Sequence, residues 1–147
     1  MKKVFFALVI VIAALSSCTK EDHTNKNVKC DATTLDVENV SADEFTFKAS
    51  FKISGSGDIF CRYGVEAGED KEKGFIATEF VNAQKAGDYN YSYKWVNNKQ
   101  LLPTVPLYIF APGTTVYYRA FIEVLGTDGG SKYYYGQTKS FTVPSAN

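Results

Sequence analysis

Four groups of residues carry side chains that could do chemistry. The first is Cys18, preceded by Leu15, Ser16 and Ser17 and followed by Thr19, Lys20, Glu21 and Asp22. A thiolate is a strong nucleophile, and the small residues before it leave the backbone open to a peptidase. The second is the pair Cys30 and Cys61. In an oxidising compartment such a pair either bridges or stays as two buried thiols. A bridge would close a loop of about 30 residues and contribute roughly 3–4 kcal/mol in the chain-entropy account. The third is a set of carboxylates that includes Asp58, Glu66, Glu69, Asp70 and Glu123. The fourth is the row Tyr117, Arg119, Phe121 and Glu123, spaced two apart. In a strand that spacing puts them on one face, opposite the more apolar row Val116, Tyr118, Ala120, Ile122 and Val124. Tyr117, Arg119 and Phe121 are therefore the candidate ligand-contacting face, able to stack on sugar rings or to anchor a protein partner.

Most reaction classes lack their residues. His23 is the single histidine, and it sits in a polar stretch, so no Ser-His-Asp or Cys-His arrangement is expected within the domain. No Cys/His spacing suits zinc, and no glycine-rich phosphate loop lies between a strand and a helix. A glycosidase would need two carboxylates facing each other across a cleft, which a small sandwich rarely offers. Asp58, Glu69 and Asp70 lack the spacing of a calcium loop. The expectation is a non-enzyme with no metal and no cofactor beyond a covalent lipid. The 16 basic and 16 acidic residues balance, with no basic run, which argues against a nucleic-acid partner.

The elements that position these groups begin with the leader. Lys2 and Lys3 precede the unbroken apolar run from Val4 to Leu15, and small residues follow. This is the layout of a secretory signal peptide. The run is too short to cross a hydrocarbon core of about 30 Å, which takes about 20 apolar residues. Leu15-Ser16-Ser17-Cys18 resembles the bacterial lipobox. The resemblance implies cleavage after Ser17, with Cys18 becoming residue one and carrying the acyl chains; two or more chains give stable anchoring. Membrane lipid is then a partner through that anchor. The competing expectation is ordinary secretion, cut after Ser16. Lys20, Glu21 and Asp22 resemble the export signal of Bacteroidota surface lipoproteins. That implies an outer-membrane protein facing outward, the alternative being the periplasmic face of that membrane. Cleavage leaves 14 basic residues against 16 acidic, once Lys2 and Lys3 are gone.

Residues 18–29 are polar and aperiodic and read as a tether. Residues 30–147 read as one all-β domain; the chain is rich in aromatics, with ten Tyr and eleven Phe in all. Thr33 to Val40 is the expected first strand. Glu44 to Ile53 alternates Phe45, Phe47, Ala49, Phe51 and Ile53 with polar residues, the period of a half-buried strand. Ile59 to Glu66 follows, then a charged loop to Gly74. Phe75 to Ala83 fits a strand or a short helix. Tyr89, Tyr91, Tyr93 and Trp95 form the next alternating row. Val96 to Ala111 is apolar but broken by Pro103 and Pro106, and reads as an irregular connection over the sandwich edge. Thr115 to Leu125 is a strand, Asp128-Gly129-Gly130 a hairpin turn, and Lys132 to Val143 a last strand with a bulge at Gly136. About seven strands make an antiparallel β-sandwich, immunoglobulin-like in class.

From Phe110 to Phe141 the chain resembles a fibronectin type III-like domain of the kind found in Bacteroidota lipoproteins. Phe110, Pro112, Thr114, Val116 and Arg119 stand where that family has leucine, proline, threonine, tyrosine and arginine. Tyr117-Tyr118-Arg119-Ala120, Tyr135-Gly136 and Ser140-Phe141-Thr142 match its last two strands. Val116 replaces the tyrosine whose hydroxyl ties the family's corner. The family's topology brings Cys30 and Cys61 to one end of the sandwich, which implies a disulfide between them. The function implied is a lipid-anchored binding or adhesion module. An accessory glycan-capture protein and a structural spacer of a surface assembly are the alternatives.

Overall fold

The computed structural model describes residues 27–97, 109–126 and 129–145. Cys18, Lys20, Glu21, Asp22 and His23 lie outside the described residues, as do 98–108 of the apolar connection. The described chain is all-β and contains no helix, so none is long and apolar enough to cross a membrane.

Among the described residues nine strands follow in order. They are β1 (Lys29–Thr34), β2 (Glu44–Ser54), β3 (Cys61–Gly68), β4 (Ile76–Ala77), β5 (Val81–Ala83), β6 (Gly87–Val96), β7 (Thr115–Leu125), β8 (Ser131–Tyr135) and β9 (Lys139–Thr142). One sheet has the order β1-β2-β6. The other has the order β4-β3-β7-β8, with β5 also on β3 and β9 also on β7. Every pairing is antiparallel.

The periodicity of the sequence decides which side of each strand is dry. In β2, Phe45, Phe47, Ala49, Phe51 and Ile53 are buried and the residues between them face out. In β7, the row Val116, Tyr118, Ala120, Ile122 and Val124 is buried, as its alternation predicts. The two rows meet across the core around an aromatic cluster. Phe45 stacks parallel to Trp95 with centroids 6.2 Å apart and meets Phe141 edge-on at 4.8 Å. Edge-to-face and offset contacts of this kind add about 0.5–1.5 kcal/mol each beyond burial.

The count of nine rather than seven comes from two interrupted strands. The stretch from Phe75 to Ala83 is neither one strand nor a helix but β4 and β5, broken at Thr78. There the backbone N–H and Oγ1 of Thr78 both donate to the Val65 carbonyl, at 2.9 and 2.6 Å. The final stretch breaks at Gly136, the expected bulge. A Cβ at Gly136 would lie 2.6 Å from Thr34 Oγ1 and 2.9 Å from the Ala32 carbonyl oxygen, so only glycine lets β1 come this close.

The first strand sits earlier than its sequence pattern predicts, at Lys29–Thr34 rather than Thr33–Val40. It starts earlier because Lys29–Ala32 pair with Ser54–Phe51 of β2, and it ends earlier because of a side chain from the opposite sheet. The Tyr118 hydroxyl donates to the Leu35 carbonyl and accepts from the Val37 N–H, both at 3.1 Å. Those two backbone groups are thereby taken out of the ladder. Glu38 rejoins β2 through an isolated bridge to Thr46. Val116 is fully buried without a hydroxyl, and the hydroxyl that ties β7 to this backbone belongs to Tyr118, two residues later.

Candidate ligand-binding face

The outward side of the larger sheet gathers side chains from three elements. β3 contributes Arg62 and Glu66, with Phe60 just before it; β7 contributes Tyr117, Arg119, Phe121, Glu123 and Leu125; β8 contributes Tyr133 and Tyr135. The register sets Arg62 beside Glu123, Glu66 beside Arg119, Glu123 beside Tyr133 and Phe121 beside Tyr135. Cross-strand pairs of opposite charge and of aromatic rings are the stabilising contacts of a sheet surface.

Two arginine–carboxylate pairs form the polar frame. Arg119 Nε donates to Glu66 Oε1 at 2.6 Å. Arg62 Nε donates to Glu123 Oε2, and the Tyr133 hydroxyl donates to the other Glu123 oxygen at 2.8 Å. Glu123 is buried. Burial alone would push its carboxyl up, but hydrogen bonds from Arg62, Ser131 and Tyr133 outweigh that and hold it below the usual carboxylate range. Each arginine also covers an aromatic ring. The Arg62 guanidinium lies 4.7 Å from the Phe80 centroid, and that of Arg119 lies 3.8 Å from Tyr135 and 4.8 Å from Phe75.

The aromatic row expected from β7 alone is only partly open. Tyr117 and Arg119 are half-buried. Phe121 is 4% exposed and is not available to a ligand. Its partner in the register is Gly64, and the Phe121 ring fills the space that residue leaves, within 3.3 Å of where a Cβ would stand. The open aromatic surface lies instead on the flanking segments. Phe60, Phe80, Leu125, Tyr133 and Tyr135 are all exposed large side chains. The rings of Tyr133 and Tyr135 run parallel, 8° apart, with centroids separated by 6.0 Å. Sequence reasoning missed Tyr133 and Tyr135 because the glycine bulge obscured which side of the last strand they occupy. It missed Phe60 and Phe80 because both lie at strand ends.

Cys30 and Cys61 are buried free thiols, not the disulfide that the family resemblance implied. They sit in different sheets at the same end of the core. Cys61 Sγ is turned to the Ala83 carbonyl, 3.7 Å away within its own sheet. Burial, followed by the charge of Cys30, pushes the Cys61 thiol up to about 11, which makes it a poor nucleophile.

Two shallow grooves flank the smaller sheet. One, of about 300 Å³, is lined by polar residues of β1, β2 and β6 such as Asp31, Ser50 and Asp88, together with Phe51 and Tyr89. The other, of about 240 Å³, runs between Glu79–Val81 and Asn90–Tyr93. Among the described residues no three His, Cys, Asp or Glu side chains are grouped to hold a metal ion.

No protein-family model matches the chain, and no curated protein matches it either. Solved structures resemble it in fold. The sensor domain of the anti-sigma factor RsgI4 from Pseudobacteroides cellulosolvens, in a short form, superposes with a TM-score of 0.52 at 8% identity, over 80% of this chain and 96% of that one. A solution structure of the same sensor domain gives 0.52 at 7% identity, over 80% and 76%. At such identity the likeness concerns the β-sandwich alone.

Proposed function

We propose that the chain is a non-enzymatic, lipid-anchored outer-membrane lipoprotein whose fibronectin type III-like domain binds a protein partner through the outer side of β3, β7 and β8. One observation carries the binding reading. Phe60, Phe80, Leu125, Tyr133 and Tyr135 are exposed on or beside one sheet face, around two ion pairs. A grouped exposed apolar surface with a polar frame is the composition of an interaction site.

The three-strand and four-position arrangement of the two sheets supports the fibronectin type III-like reading, with β4 and β5 sharing one edge position and β8 and β9 the other. The anchor rests on the sequence from Leu15 to Asp22. That the neighbouring fold is a sensor domain is a precedent for recognition on such a sandwich, not for this face.

Glycan capture is the second reading, and the arginines weigh against it. Flat stacking on a sugar needs a free ring face. Arg119 already covers one face of Tyr135, and Arg62 one face of Phe80. The frame is fixed and half-desolvated, which suits a shaped protein surface.

The test is a panel of host matrix proteins and polysaccharides against the full chain, with Tyr133→Ala and Phe60→Ala as variants. The expected result is binding to a protein, weakened about tenfold or more by either change. Retention by a polysaccharide instead would establish glycan capture. Silence across the panel, with co-purification of a larger complex, would establish the spacer. The anchor is tested separately: Cys18→Ala should leave the membrane fraction, and unchanged fractionation refutes lipidation.

A further inference from the structure

The four sheet edges are not treated alike. The edge beyond β3 is cut into β4 and β5, and the edge beyond β7 into β8 and β9. β1 spans six residues. β6 is different: ten unbroken residues without proline or bulge, paired among the described residues with β2 on one side only. Long, regular edges are templates for another strand, and proteins ordinarily blunt them.

The register shows which backbone groups face outward. Asn97 N–H donates to the Asp43 carbonyl at 2.8 Å. These residues are in step with the β2–β6 register, which pairs Glu44 with Val96 and Phe45 with Trp95. Hydrogen-bonded pairs alternate along an antiparallel ladder. The odd-numbered residues of β6 therefore bond to β2. The N–H and C=O groups of Asp88, Asn90, Ser92 and Lys94 point to the open edge.

We propose that this edge is the interface of a homodimer, in which β6 of two copies pair antiparallel about a two-fold axis at Tyr91. Only pairings that set even-numbered residues against even-numbered residues satisfy the outward groups. Of these, the register centred on Tyr91 sets Asp88 of each copy against Lys94 of the other, and Asn90 against Ser92. All four are exposed on the outer side of the strand. Each would donate and accept one inter-chain hydrogen bond. On the inner side Tyr89 meets Tyr93. A shift by one pairing step in either direction loses the Asp88–Lys94 match, so charge selects the register. Lys94 already bonds Glu44 of its own chain at 2.6 Å, with both side chains largely exposed; it turns to Asp88 without desolvating a buried group.

The test is sedimentation equilibrium of the full chain in density-matched detergent. The parent is expected to dimerise reversibly with concentration. Asp88→Lys and Lys94→Asp each place like charges opposite one another twice and should weaken association by about tenfold or more. Mixing the two variants should restore it, because each then supplies the charge the other lacks. Ser92→Pro removes an outward N–H only, so it should give a folded monomer with unchanged thermal unfolding. A parent that is monomeric at every concentration overturns the proposal. So does a dimer indifferent to both charge changes and to their mixing.

Discussion

Glu123 shows how one residue can be misread by type and explained by position. In the sequence it is one carboxylate of many. In the structure it is buried beneath Tyr133 and Arg62, with both oxygens occupied. Its folded-state carboxyl sits below the ordinary value of 4.5. The unfolded chain therefore takes up the proton first as pH falls. The stabilisation is complete above the ordinary value and drains away as pH drops through the lowered one. Glu123→Gln should lower stability at neutral pH by about 1–3 kcal/mol and flatten the acid limb of a urea-midpoint profile below that ordinary value. An acid limb as steep as the parent's would mean another carboxylate carries it. Asn97 was equally invisible. Its side-chain amide donates to the Ala42 and Phe110 carbonyls and accepts from Phe110 N–H and Trp95 Nε1. It thus ties the end of β6 to the start of the last third of the chain. No periodicity marks such a residue, because its role depends on groups far away in sequence.

At the scale of the element, strands were legible where one side is dry and the other wet. β2, β6 and β7 have that alternation, and each falls within one or two residues of its sequence pattern. Strands went astray where a group from elsewhere decides the outcome. β1 ends early because Tyr118 takes its backbone partners, and the last strand divides because β1 presses on Gly136. The latter contact is specific enough to test. Thr34 Oγ1 accepts from Ala120 N–H at 2.9 Å, and Gly136 N–H donates to the Ala120 carbonyl at 3.0 Å. Residue 136 is therefore held against both β1 and β7. The neighbours of a new methyl group would be backbone and a bonded hydroxyl, which have nowhere to go. Gly136→Ala should cost about 2–3 kcal/mol, within the range for overpacking a close contact, read as a lower denaturant midpoint with unchanged slope. Gly113→Ala is an informative contrast: its φ is +83° with open space around the Cβ, so any loss there is backbone strain rather than collision.

At the scale of the molecule, the two proposed surfaces belong to different sheets. The β6 edge is in the three-stranded sheet, and the aromatic face is the outer side of the other. An antiparallel edge pair has its two-fold axis roughly perpendicular to the sheet, so a β6 dimer turns both aromatic faces the same way. Two faces on one side can engage two partner molecules on a single surface, and the second engagement is then intramolecular. Ser92→Pro should accordingly leave binding to a partner in solution unchanged while weakening retention on a partner-coated surface by about a hundredfold. Tyr133→Ala should weaken both. If Ser92→Pro weakens binding in solution as much as on the surface, edge and face are not independent, and the partner itself would be adding a strand to β6.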